Sequence, residues 1–291
     1  MFHPRTFDDV ADDEELNDLM WFTCFFGCLN NPVHVHVRGK AVIVTGSSAG
    51  IGQECAVLFG EQGAFVTVHG MSIDGINTTI KRLQEAGVPD SHYEYVQGPI
   101  EDENVQNELF EKTVKKFGRV DVLVNNAGAT QKPGVEASSL ENFDYVLNVN
   151  LRSVISLTRK AVEYLAKTHG NIVNIGSISA EVCFPAAEHY AASKAALNSY
   201  TRNSALQYAS KNIRINLVSP GSIYTNIRLR HSNKAEVDAL YESRHAGIPL
   251  KRTGTGREVA NVVEFLASDK ASYVTGSIYV VDGGALLMKP F

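Results

Sequence analysis

Residues 41–52 read Ala41-Val42-Ile43-Val44-Thr45-Gly46-Ser47-Ser48-Ala49-Gly50-Ile51-Gly52, four apolar residues followed by a turn with three spaced glycines. From Gln53 to Gln62 apolar residues recur at helical spacing, so the stretch predicts strand, tight turn, helix. Glycines let the backbone turn sharply and come close to a ligand, and the free amides and positive end of the new helix favour a pyrophosphate. The spacing differs from the commoner Gly-x-Gly-x-x-Gly. Taken singly, it leaves open a tight turn that binds nothing.

The same rhythm runs on through the chain. Strands are predicted at 64–68, 93–97, 120–124, 171–175, 213–218 and 277–281, and helices near 75–86, 105–117, 140–166, 187–209 and 258–267. Such alternation implies an α/β protein: a doubly wound, mostly parallel sheet with helices on both faces, in a single domain. Ligands of such sheets bind beyond the carboxyl ends of the strands, where the strand order reverses. Asn125-Asn126-Ala127-Gly128 and Ser177 both follow strands and fall on that rim. Tyr190 and Lys194 are one helical turn apart and stack on one face. A free phenol, with a pKa of about 10, is too weak an acid for a proton shuttle at neutral pH, and a neighbouring ammonium favours its ionised form. Ser177 and Tyr190 can each donate a hydrogen bond, and the phenol beside an ammonium can also give a proton. Ser179 is a second candidate for the serine role.

Over about residues 38 to 287 the chain resembles the short-chain dehydrogenase/reductase family. The resemblance rests on Thr45-Gly46-x-x-x-Gly50-Ile51-Gly52, Asn125-Asn126-Ala127-Gly128, Asn148-Val149-Asn150-Leu151, Ser177 thirteen residues before Tyr190, Tyr190-x-x-x-Lys194, Ser219-Pro220-Gly221 and Val281-Asp282-Gly283-Gly284, in the family's order. It implies a Rossmann-type fold and an NAD(P)-dependent oxidoreductase acting on a ketone or secondary alcohol. By that resemblance Ser177 polarises the carbonyl and Tyr190 gives or takes the proton. Lys194 lowers the tyrosine pKa and holds the nicotinamide ribose, and Asn150 supports a water leading protons to it. The implied cofactor contacts are Gly46, Ser47, Ser48, Gly50, Ile51 and Gly52 in the turn, Ser72, Ile100, Asn126, Ala127 and Gly128 beyond it, then Tyr190 and Lys194. Pro220, Gly221, Ile223 and Thr225 resemble the segment that fixes the carboxamide. The family spacing selects Ser177 over Ser179, which is left as a turn residue. An enoyl reductase is disfavoured, because the relatives of that kind space Tyr and Lys more widely.

Four positions depart from the pattern. An NAD-preferring member would carry an acid at Gly70, and NADP-preferring relatives often carry arginine at Met71 or a basic residue at Ala49; this chain has none of these. The missing carboxylate removes repulsion against a 2′-phosphate, and Ser47 and Ser72 offer hydrogen bonds, so NADP(H) is favoured over NAD(H), although Asp74 cuts the other way. Pro99 stands where the family has an aspartate near adenine. These departures leave an alternative open, a catalytically quiet nucleotide-binding regulator that kept the fold.

At 291 residues and 44% apolar content the chain can bury one large core. A formal charge of −5 and no basic block give no sign of nucleic-acid binding. There is no run of transmembrane length and no signal-peptide pattern, and four cysteines lack a disulfide framework, so the expectation is a cytoplasmic protein. Residues 1–37 form an extension of unknown role, acidic and then apolar from Met20 to Leu29. Cys24, Cys28, His34 and His36 there invite a zinc reading, but Cys-x-x-x-Cys lacks the usual spacing, a packed helix and edge strand serve as well, and no metal is assigned. Phe184 and Ile223 suggest an apolar substrate wall, and Cys183 a place on it. The segment after Gly221, with Arg228, Arg230, Lys234, Arg244, Lys251 and Arg252, should cover the mouth, most often as a solvated lid helix. Small residues around the Tyr-Lys pair, Ala191, Ala192, Ala195 and Ala196, fit helix pairing in a homodimer or homotetramer.

Overall fold

The computed structural model describes residues 37–183, 187–225 and 233–288. The extension before residue 37 and its zinc reading, Phe184, Arg228 and Arg230 lie outside the described residues. Seven strands form one sheet: β1 (Ala41–Val44), β2 (Phe65–Gly70), β3 (Tyr93–Gln97), β4 (Val122–Asn125), β5 (Asn171–Ile175), β6 (Arg214–Pro220) and β7 (Ile278–Val281). Their order is β3-β2-β1-β4-β5-β6-β7, and every pairing is parallel. The order reverses between β1 and β4, which puts the glycine turn at the switch point where such sheets bind ligands.

Eight helices connect the strands among the described residues: α1 (Gly50–Glu61), α2 (Ile73–Glu85), α3 (Glu103–Phe117), α4 (Leu140–Leu147), α5 (Ser153–Thr168), α6 (Glu188–Tyr208), α7 (Lys234–Arg244) and α8 (Gly256–Ala267). Strand side chains alternate faces. Val42 and Val44 therefore join Phe59 of α1 and Val263 of α8 on one side of the sheet. Ile43 joins Leu109 of α3 and Leu157 of α5 on the other. Burial of both faces explains why the central strands β1 and β4 read as apolar runs, while the edge strand β3, Tyr93-Glu94-Tyr95-Val96-Gln97, mixes apolar and polar residues.

The predicted helix over 140–166 is one helical rod with an interruption. Between α4 and α5, Asn148–Arg152 forms a π turn. The lid segment contains a true helix, α7, closed at its start by a capping box between Asn233 and Glu236.

Candidate active site

A cleft of about 860 Å³ opens at the carboxyl ends of the strands. One end is the glycine turn. Gly46 and Gly50 have φ of +64° and +59°, a conformation side chains disfavour. A Cβ on Gly46 would also stand 2.8 Å from Ala127 Cα. The helix that follows, α1, has Ala49 at its N-cap and no side-chain cap. By contrast α2, α3, α4, α7 and α8 are capped by Ser72, Asp102, Ser139, Asn233 and Thr255. The first amides of α1 thus lack a side-chain acceptor, and its first turn carries no acid. That cradle fits a dinucleotide pyrophosphate.

Most of the anticipated contacts face the cleft. Gly46, Ser48, Gly50, Ile51, Ser72 and Ile100 line it, as do Asn126, Ala127, Gly128, Pro220, Gly221, Ile223 and Thr225. Two predicted contacts do not. Ser47 is fully buried, and its hydroxyl donates to Val44 O at 2.7 Å and accepts from His69 N–H at 2.9 Å, so it is spent inside the turn. Gly52 is a packing residue: a Cβ there would collide with Asn126 Nδ2. Asn126 itself donates to Thr45 O and Gly46 O, at 2.8 and 3.0 Å, and so locks β4 to the turn.

At the other end, Ser177 leads from β5 into a short 3₁₀ turn, and Tyr190 and Lys194 project from the first turns of α6. All three line the cleft. Lys194 Nζ donates to Ile175 O at 2.8 Å and lies 5.6 Å from the Tyr190 ring centroid. Burial pushes this lysine down to about 8, because the ammonium is costly away from water. Ser179 is more than a turn residue. It is buried, and its hydroxyl and its N–H both donate to Ser177 Oγ, at 2.9 and 3.2 Å. With both lone pairs of Ser177 Oγ so engaged, the Ser177 proton is free to be donated outward. Asn150, in the π turn, is fully buried; its Nδ2 donates to Ala129 O and Ser193 Oγ, and its Oδ1 accepts from Ala129 N–H. The side-chain amide is therefore committed and does not itself reach Lys194.

Sequence reasoning missed several lining groups. Tyr145 of α4, Tyr241 of α7 and His69 of β2 all border the cleft. The first two sit on helices whose registers carry no signal for which face meets a cleft. Among the described residues no group of His, Cys, Asp or Glu is arranged to hold a metal, and no helix is long and apolar enough to cross a membrane.

Comparison with known proteins agrees with this geometry. A family model described as enoyl-(acyl carrier protein) reductase matches residues 46–285. The 3-oxoacyl-[acyl-carrier-protein] reductase of Thermotoga maritima is 38% identical over 254 residues, covering 87% of this chain and all of that protein. The chain belongs to the short-chain dehydrogenase/reductase family. Within it, the 3beta-hydroxysteroid dehydrogenase 1 of Eggerthella lenta is 35% identical, over 88% of this chain and 97% of its own. A short-chain dehydrogenase/reductase of unknown function from Caenorhabditis elegans, solved with cofactor, superposes with a TM-score of 0.83 at 35% identity, over 87% of this chain and 97% of that one. The protein is thus an NAD(P)-dependent oxidoreductase of carbonyl and CH–OH groups, and the alternative of a quiet regulator is not favoured.

Proposed function

We propose that residues 38–291 form a dehydrogenase/reductase domain that prefers NADP(H) and interconverts a ketone and a secondary alcohol at Ser177, Tyr190 and Lys194. One observation carries the reading: those three side chains share a cleft whose far end is the uncapped head of α1. When bound, the nicotinamide supplies or accepts the hydride. Ser177 donates to the substrate oxygen, with Ser179 holding its lone pairs. Tyr190 delivers its proton to the alkoxide in reduction and takes it back in oxidation. The Lys194 ammonium favours the phenolate on Tyr190 and offers donors to a ribose. Asn150 supports a water that leads protons to Lys194.

The preference for NADP(H) rests on the adenosine end. Ser48 and Ser72 line it. Ser72 Oγ accepts from Gly75 N–H and keeps its own proton to give. Ser47 drops out of this case, since its hydroxyl is turned inward. Among the described residues the lysine and arginine side chains on the cleft wall are Lys194, which belongs to the catalytic end, and Arg244, and Arg82 of α2 is paired with Glu54 at 2.7 and 3.0 Å. The preference is therefore modest. Val149, Ile178, Val182 and Ile248 give the substrate end an apolar wall, which fits a ketone with a hydrocarbon body. We further place the enzyme in the cytoplasm as a homo-oligomer, with residues 1–37 as an extension.

The test is titration with NADPH and NADH, followed by nicotinamide fluorescence, and then a panel of steroid, sugar, acyl-thioester and small ketones. Tight NADPH binding with turnover on one class supports the proposal. Binding without turnover across the panel would favour a regulator, and a higher kcat/KM with NADH would overturn the cofactor preference.

A further inference from the structure

Under the glycine turn lies a histidine that the hydride-transfer chemistry leaves unused. His69 is 2% exposed at the end of β2 and borders the cleft. Gly46 N–H donates to its Nδ1 at 3.0 Å, and its Nε2 lies 3.1 Å from Gly98 O. A nitrogen that accepts carries no proton, so the hydrogen is on Nε2 and is donated to Gly98; one neutral tautomer satisfies both contacts. Burial pushes the imidazole down to about 4, which keeps that neutral form through the working range.

The main chain of His69 makes two more ties to the turn. Ser47 N–H donates to His69 O at 2.7 Å, and His69 N–H donates to Ser47 Oγ at 2.9 Å. Any residue but proline at position 69 would keep these, whereas only the ring reaches Gly46 and Gly98. What the ring adds is direction. With its N–H held downward by Nδ1, the Gly46 peptide is fixed in its positive-φ conformation, and the following residues carry the chain up to the open amides of α1. Without the acceptor, Gly46 N–H would be a part-buried donor with nothing to bond, and the peptide would gain by turning toward the cleft.

We propose that His69 is a positioning residue for dinucleotide binding, its Nδ1 lone pair holding the Gly46 peptide in the orientation the phosphate-binding turn requires. The proposal rests on the cofactor reading above. It assigns His69 an effect on cofactor affinity and none on the chemical step, because Ser177 and Tyr190 hang from other elements.

Two substitutions in the full chain separate the two ring nitrogens. His69→Gln places an amide N–H near the Nε2 position and removes the acceptor at Nδ1. His69→Asn puts a carbonyl oxygen where Nδ1 was and gives up the reach to Gly98. The dissociation constant of NADPH should rise about tenfold in His69→Gln and stay within about threefold in His69→Asn, with kcat at saturating NADPH within about twofold for both. Hydrogen exchange at the Gly46 amide of the cofactor-free protein should quicken in His69→Gln alone. An unchanged affinity in His69→Gln, or equal weakening in both variants, overturns the proposal. If His69→Gln does not fold, the ring nitrogens of the wild type decide by NMR: an unprotonated Nδ1 coupled to the Gly46 amide upholds it, and a protonated Nδ1 overturns it. A wild type that binds neither NADPH nor NADH would overturn the cofactor reading and this proposal together, a result distinct from wild-type binding that His69→Gln leaves untouched.

Discussion

At the scale of single residues, the site sets a phenol beside a cation that is itself poorly solvated. Tyr190→Phe removes the proposed proton donor and keeps the ring, so turnover should fall by a factor on the order of 10² or more while the NADPH dissociation constant holds. Steady-state kinetics beside a binding titration measure both, and near-normal kcat on an authentic substrate would remove Tyr190 from the role. Lys194 leaves a second signature in the cofactor-free protein. Its folded value of about 8 lies below the ordinary 10.5, so between those pH values the unfolded chain holds more of the proton and stability rises with pH. Below about pH 8 the buried ammonium burdens the fold, and replacing it with an uncharged chain relieves that burden. Against Lys194→Met, the wild type should therefore gain up to about 3 kcal/mol of relative stability as pH rises from 8 to 10.5. Urea unfolding of both proteins across that range measures the difference, and a flat difference would show that Lys194 is solvated.

At the scale of elements, the end of β2 and the glycine turn are coupled by steric contact. A Cβ on Gly70 would fall on Ser48 Cβ and Oγ, well inside van der Waals contact, so the acid of NAD-preferring relatives has no room here as the chain stands. Gly70→Asp alone should weaken NADH and NADPH binding alike by displacing the turn. With Ser48→Gly added, the next neighbour is Ile76 Cγ1 at 3.6 Å, an ordinary contact, and the double variant should prefer NADH. Dissociation constants for both cofactors in both variants check this, and an NADH preference in Gly70→Asp alone would refute the coupling. The same elements show what the sequence made legible. The buried runs of β1, β4 and β5, the glycine turn and the Tyr190–Lys194 spacing are local patterns, and they were readable because each depends on near neighbours in the chain. Which of Ser47 and Ser48 faces the ligand depends on His69 and Gly70, more than twenty residues away, and no local pattern carries that. The π turn was hidden for a related reason: Asn148-Val149-Asn150-Leu151 keeps a helical periodicity, and the partners of Asn150, Ala129 and Ser193, lie 21 and 43 residues away in the chain.

At the scale of the whole molecule, α6 presents Ala192, Ala195, Ser199 and Leu206 to solvent at spacings of three, four and seven, which is one face. Leu206 is 82% exposed, a large apolar side chain with nothing over it among the described residues. We expect a homodimer or homotetramer by light scattering at micromolar concentration, and Leu206→Glu should shift it toward lower mass. A fully active wild type at the 31.7 kDa monomer mass would exclude an obligate assembly.

The reversal of strand order has a further consequence, for endurance rather than chemistry. β1 and β4 are neighbours in the sheet, although Val44 and its partner Val124 are 80 residues apart in the chain. The cleft takes its walls from both sides of that junction, Ser48 and Ser72 on one and Asn126, Ser177 and Pro220 on the other. A dinucleotide laid across it is a clasp over a seam, and must leave before the two halves can part. Saturating NADPH at about 100 times its dissociation constant should add about 2.7 kcal/mol of stability and lengthen survival under protease. An unchanged half-life would mean that the first segment to open lies away from the seam. In a cell, then, the supply of reduced cofactor would govern how long each copy of this chain survives as well as how fast it works.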